Sequence, residues 1–181
     1  IEHEGTFRLP EAQLDRFMLK VVVDYPDEAE ELDVVLRYAD RSAGGPPGGE
    51  AAAPPVIGPA EIAALKAAAA SVRFERDAAA YAVAVVRATR PSRDGKQASA
   101  ALRELSRYIE YGASPRGSIA LYRAARAAAL LAGRDHVLPD DVKRSAPAAL
   151  RHRVIPSYEA EADRVGPDAI VKGVLSAVPV P

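Results

Sequence analysis

Residues 112–133 read GASPRGSIALYRAARAAALLAG. Ser114, Pro115 and Arg116 put a helix N-cap, a first-turn proline and a cation in sequence. A serine hydroxyl accepts a bond from an orphan N–H of the first turn, and proline suits that turn because the donor it lacks has no partner there anyway. The helix that follows is rich in Ala, Leu and Arg and is expected to end at Gly133, a glycine just past the last turn. Arg116 stands at the wrong end for its charge. A helix N-terminus carries about half a positive charge, so a cation there is unfavourable by a few tenths of a kcal/mol or more. An anion would resolve the conflict, and helix N-termini are natural phosphate sites. The bland alternative is a solvated arginine lying over the surface. Arg123 falls seven residues on and almost on the same face, with Arg126 on an adjoining one; both read as the solvent face of an amphipathic helix.

Working outward, almost everything after residue 58 reads as helix. Pro59 opens a helix with Ile62, Leu65 and Ala69 on one face, and a second runs from Arg76 to about Thr89 with Ala78, Tyr81 and Val85 inward. Leu102 and Leu105 suggest a short helix, and 108–111 an extended entry to Gly112. Pro139 starts a helix with Asp140 and Asp141 in its first turn; Pro147 is expected to break it, with a short piece continuing to about His152. A last helix is expected from Pro167 to about Ala177.

The stretch RSAGGPPGGEAAAPP at 41–55 has no periodicity and reads as a flexible linker, and 91–97 as a second loose stretch. Ahead of the linker, Pro10 and Glu11 suit a short helix, and Phe17–Val23 reads as a buried strand of the parallel-sheet type. Residues 27–39 then show helical spacing. The expected fold class is mainly α: a helical bundle after the strand and helix that end an α/β core. The expected domains are 1–40 for the core fragment, 41–58 for the linker and 59–181 for the all-α domain.

Composition narrows the function. The chain has 181 residues, 24 basic and 25 acidic, so no global positive field suggests nucleic acid or an anionic membrane as partner. The absence of cysteine rules out disulfides and thiolate metal sites and agrees with a reducing compartment; a cytoplasmic location is expected. His3, His136 and His152 lie far apart without metal-ligand spacing, and no metal site is expected. No apolar run reaches the ~18 residues of a spanning helix. The only methionine is Met18, which suggests the tail of a longer protein, and no Gly-x-x-x-x-Gly-Lys-Ser/Thr phosphate loop is present.

Arg16, in LDRF, is the second candidate cation. A surface pair with Asp15 or Glu11 would signal nothing. Its place between a short helix and an expected strand, at a sheet end where ligands gather, allows a guanidinium offered across a subunit boundary. No serine, lysine or carboxylate pair has the context of an activated nucleophile.

The order of several motifs closely resembles the C-terminal half of MoxR-type AAA+ ATPases. Residues 1–6 (IEHEGT) and 9–17 (LPEAQLDRF) resemble the family segment after the sensor 1 asparagine, and 112–116 (GASPR) the sensor 2 motif. The lid segment is matched by Gly133-Arg134-Asp135, by 139–143 (PDDVK) and by 150–153 (LRHR), and the family's usual end by 178–181 (VPVP). The resemblance implies that Arg16 is the arginine finger, acting in trans on the next subunit's ATP, and that Arg116 is the sensor 2 arginine. Arg116, with Ser114, would meet the γ-phosphate of its own subunit's ATP in cis. It implies ATP and Mg2+ as cofactors held mainly by residues upstream of Ile1, so that this piece alone is inactive while the intact protein hydrolyses ATP. It also implies a homo-oligomeric, hexameric ring, chaperone-like remodelling or cofactor insertion, and von Willebrand factor A-domain partner proteins, without nucleic acid or membrane insertion. A competing reading is an all-α protein-interaction module whose arginines bind acidic partners.

Overall fold

The computed structural model describes residues 10–42, 55–91 and 99–181, with the side chains of 40–42 left aside. His3, most of the expected linker and residues 92–97 of the second loose stretch lie outside the described residues. In chain order the elements are α1 (Glu11–Leu14), α2 (Glu28–Ser42), α3 (Pro59–Ser71), α4 (Arg76–Ala88), α5 (Ala100–Ser106) and β1 (Ile109–Tyr111). They are followed by α6 (Pro115–Leu131), α7 (Pro139–Leu150), β2 (Ile155–Pro156), α8 (Tyr158–Ala162) and α9 (Pro167–Ala177). The chain divides into two units, one of residues 1–20 with 67–181 and the other of 21–66.

The first unit is a helical bundle built on small residues. Along α6, Gly117, Ala120, Leu121, Ala124, Ala125 and Ala129 are buried on one face, and their small volume lets α7 approach closely. The contact between α6 and α7 is the most extensive in the molecule, with α4 packed on both and α9 on α7. Leu121, Leu150, Ile170, Val85, Val142 and Val174 fill the centre and are fully buried. Each contributes on the order of 1.5–3 kcal/mol of apolar burial. Ala78, Tyr81 and Val85 face inward from α4, as their spacing requires. β1 and β2 form a short antiparallel ladder pairing Ile109 with Pro156 and Tyr111 with Ile155. Ser157 then caps α8 by accepting from Ala160 N, a short helix not foreseen in the sequence.

Two expectations about the helices change. Pro147 does not break α7, which continues to Leu150. The proline removes one N–H, but Arg151 N still reaches Pro147 O at 3.0 Å. Ala146, Ala149 and Leu150 are fully buried, so packing outweighs the local preference. The inward face expected of α3 is also absent: none of its residues is buried, and Leu65 is 52% exposed.

Gly112 shows what fixes the entry to α6. A Cβ there would sit 2.2 Å from Thr89 O and 2.6 Å from Arg90 Cα. These are backbone atoms and cannot swing away. Gly112→Ala is therefore expected to push the end of α4 from the start of α6 and to destabilise the bundle by about 1–3 kcal/mol, the usual cost of overpacking. An unchanged midpoint in urea unfolding would contradict this.

In the second unit, α2 opens with reciprocal bonds between Asp27 and Glu30, and its first turn is acidic, as the helix dipole favours. Leu32, Val35 and Leu36 lie at helical spacing, yet all are more than half exposed. The strand expected at 17–23, which spans the two units, is not formed. No ladder partner occurs for it among the described residues, and Val21, Val22 and Val23 are 72%, 55% and 88% exposed. A strand exists only through bonds to neighbours, and apolar composition cannot supply them.

Candidate functional site

The start of α6 is held from beneath by the end of α4. Thr89, fully buried, donates its hydroxyl to Val86 O at 2.7 Å and accepts from Ala113 N at 3.0 Å. Arg90 Nε donates to Ala113 O at 2.8 Å. With Ala113 fixed, Ser114 caps the helix by accepting from Arg116 N at 3.1 Å. Ser114 Oγ also donates to Asp15 Oδ2 at 2.9 Å. In this arrangement the hydroxyl serves the cap and Asp15 rather than the open side of the helix.

That bond joins two segments 99 residues apart. The turn after α1 is closed by Arg16 N bonding to Gln13 O and Phe17 N to Leu14 O. It brings Arg16 to the same shallow cavity as Arg116. The cavity, about 130 Å3, is lined by the guanidinium residues Arg16, Arg116, Arg123 and Arg153, by Asp15, and by Met18, Ile119 and Ala120. Pockets for drug-sized ligands measure roughly 300–1,000 Å3, so this cavity is on the scale of a phosphate group. Arg16, Arg116 and Arg123 are exposed and make no ion pair with a carboxylate among the described residues. Among the described residues, three arginines without a carboxylate partner thus lie beside the Arg153–Asp15 pair, an arrangement that suits an incoming anion. No group of three or more His, Cys, Asp or Glu suited to a metal occurs among the described residues.

Arg153 differs from the other three. Its side chain is only 2% exposed and pairs with Asp15, Nε to Oδ1, at 2.9 Å. His152 beside it meets Phe17 O through Nε2 at 3.0 Å. A carbonyl only accepts, so this bond puts the ring proton on Nε2 and leaves Nδ1 as a buried acceptor without a partner among the described residues. Burial, above all, holds the imidazole below its ordinary pKa.

Arg126 is not the solvent-face arginine its position suggested. Its Nε donates to Val72 O at 2.7 Å, and further N–H groups reach Tyr122 Oη and Ala70 O. It therefore braces the end of α3, and only Arg123 of the two remains outward. Sequence reasoning also missed Asp15 and Arg153, and the pair Arg134–Asp141. Asp141 is fully buried and accepts Arg134 at 2.6 and 2.7 Å, one bond to each oxygen. An acid two residues past a helix-opening proline was the available signal.

Residues 103–174 match the AAA lid domain family. Over its whole length the chain is 36% identical to Chaperone MoxR1 of Mycobacterium tuberculosis and 33% identical to Protein MoxR of Paracoccus denitrificans. It covers 45% and 53% of those proteins, so it spans about half the length of the curated relatives it matches. A solved structure of a candidate ATPase from Cytophaga hutchinsonii superposes with a TM-score of 0.81 at 32% identity, covering all of this chain and 52% of that one.

Proposed function

This chain belongs to the MoxR-type AAA+ ATPases as the C-terminal half of such a protein, and we propose that it completes the ATP site with Arg16 and Arg116. The observation that carries this reading is the cavity where these two cations, exposed and without a carboxylate partner among the described residues, lie together with space for a phosphate. Phosphoryl transfer is accelerated mainly by positioning and by neutralising charge that spreads over the transferring oxygens. Guanidinium groups do both. In the intact protein Arg16 acts in trans as the arginine finger, Arg116 acts as sensor 2, and Ser114 sets the helix end from which Arg116 projects. ATP and Mg2+ are bound mainly by other parts of the protein. The intact ATPase then forms a ring and works as a chaperone-like remodeller, with von Willebrand factor A-domain proteins as partners.

A specific observation favours a second reading of one role. If Arg16 meets the neighbour's ATP and Arg116 its own subunit's, the two serve different nucleotides. Sharing one cavity instead supports both acting on a single phosphate chain. Mixed rings separate the cases. Subunits carrying Arg16→Ala, mixed with subunits lacking the ATP-binding lysine, are expected to regain ATPase activity, because one subunit's intact pocket then meets the other's intact finger. No recovery in verified mixed rings would count against a trans role. The same mixing with Arg116→Ala restores activity only if Arg116 also acts in trans; in cis, no subunit has both parts.

The interaction-module alternative predicts unchanged ATPase kinetics and lost partner binding when the arginines are replaced. Arg126, bonded to backbone carbonyls within the bundle, fits it poorly.

A further inference from the structure

We infer that Asp15 and Arg153 are positioning residues, a latch that fixes the turn bearing Arg16 to the N-cap of α6 and the end of α7, so that Arg16 and Arg116 are presented as a set pair. The inference rests on the reading of those two arginines as phosphate-facing groups.

A guanidinium has five N–H donors in a rigid planar fork. On Arg153 each of them has an acceptor. Nε donates to Asp15 Oδ1 at 2.9 Å. One terminal nitrogen donates to Met18 O at 3.2 Å and to Ala149 O. The other donates to Asp15 O at 2.9 Å and Phe17 O at 2.6 Å. Four of the five acceptors belong to residues 15–18, the stretch that flanks Arg16. The stretch is otherwise held by the two bonds of the turn after α1, by His152 Nε2 on Phe17 O and by the Ser114 hydroxyl on Asp15. It is neither helix nor strand beyond α1, and its side chains after Asp15 are exposed. Neighbouring residues secure its far end: Lys20 N donates to Ala148 O at 2.8 Å, and Arg151 donates to Lys20 O at 3.3 Å.

Asp15 extends the latch to the second arginine. Its other oxygen takes the Ser114 hydroxyl, whose oxygen caps Arg116 N. One carboxylate therefore neighbours Arg16 in sequence and reaches the cap of Arg116 through one side chain. Gly117 packs closely beside it, since a Cβ there would lie 3.1 Å from Ala113 Cβ and 3.3 Å from Leu150 Cδ2. Lysine retains the charge of Arg153 but not the fork, and asparagine at Asp15 retains the shape but not the charge. Neither could hold the turn as the native pair does.

The test uses the intact protein with Arg153→Lys and, separately, Asp15→Asn. Two quantities are read: backbone hydrogen–deuterium exchange of the peptide spanning residues 15–20, and kcat with KM for ATP. A latch predicts exchange in that peptide faster by about tenfold or more, with the core amides of α6 and α7 unchanged. It also predicts kcat lower by roughly tenfold to hundredfold with KM little altered, because a misplaced group impairs the transition state more than ATP binding. Adding Arg153→Lys to Arg16→Ala should slow turnover by less than Arg153→Lys does alone, because the part of the latch that serves Arg16 then has nothing to position. Native exchange at 15–20 in both variants overturns the latch. So does exchange that rises equally through α6 and α7, which would make the pair general support for the bundle. Wild-type kcat in both variants, when Arg16→Ala is impaired, overturns the positioning role. Wild-type turnover of Arg16→Ala itself would instead fell the finger reading, while local exchange still decides the latch.

Discussion

Arg116→Ala in the intact protein is expected to lower ATP turnover by at least about tenfold, since removing one preorganised donor aimed at developing charge commonly costs ~10²–10³ in rate. The physical case begins with local electrostatics. Arg116 occupies the second position of α6, where the helix already presents positive charge. Nothing in the fold requires a cation there: its side chain is exposed and pairs with no carboxylate among the described residues. Its backbone N–H, which caps through Ser114, would survive in alanine. The substitution should thus leave the bundle's stability within about 0.5 kcal/mol, as surface changes usually do. Steady-state ATPase assays together with thermal unfolding check both halves. Wild-type turnover would sink the assignment, and a large loss of stability would show that the side chain has a packing role.

Several helix boundaries were legible where a proline or a cap wrote them into the sequence, although the Ser157 cap of α8 was missed. Ser114-Pro115 starts α6, and Gly133, at φ 71°, ends it. Pro139 and Pro167 start α7 and α9 in the same way. Local signals failed where tertiary packing or a missing neighbour decides. Pro147 lies inside a helix whose buried alanines and leucine hold it straight through the proline. Val21–Val23 has strand composition but no ladder partner among the described residues. The site divides along the same line. Arg16 and Arg116 could be singled out individually, one from motif and one from charge at a helix end. Their common cavity could not, because the Asp15–Ser114 bond spans 99 residues. Asp15 itself looked like a surface partner for Arg16, its neighbour, yet it turns to Arg153 across 138 residues. Sequence adjacency was the wrong guide there, since adjacent side chains in a tight turn diverge while a buried guanidinium draws the nearest carboxylate.

The largest stability effect is expected at Asp141. Its carboxylate is fully buried and accepts three bonds, two from Arg134 and one from Leu138 N at 2.9 Å. It thereby ties the loop after α6 to the first turn of α7. Asp141→Ala removes both acceptor oxygens and all three bonds, and leaves the Leu138 N–H and the Arg134 guanidinium without that partner. Breaking a buried pair from one side usually costs ~3–5 kcal/mol, but Arg134 can turn partly to water, so about 2–4 kcal/mol is expected. The acid dependence distinguishes charge from shape. The bonds from Arg134 hold the Asp141 carboxyl below the usual carboxylate range. A folded-state pKa below the unfolded value of about 3.9 gives stability that is present above that value and lost as pH falls through the folded one. Urea unfolding followed by far-UV circular dichroism, which suits a chain without tryptophan, should therefore show a wide gap between wild type and Asp141→Asn near neutrality. Asparagine keeps the shape and one acceptor but has no charge to lose. The gap should narrow progressively as pH falls below about 4. A gap unchanged down to the acid limit of folding would mean that Asp141 acts through packing and hydrogen-bond geometry, and that its ionised state does little to hold the loop to α7.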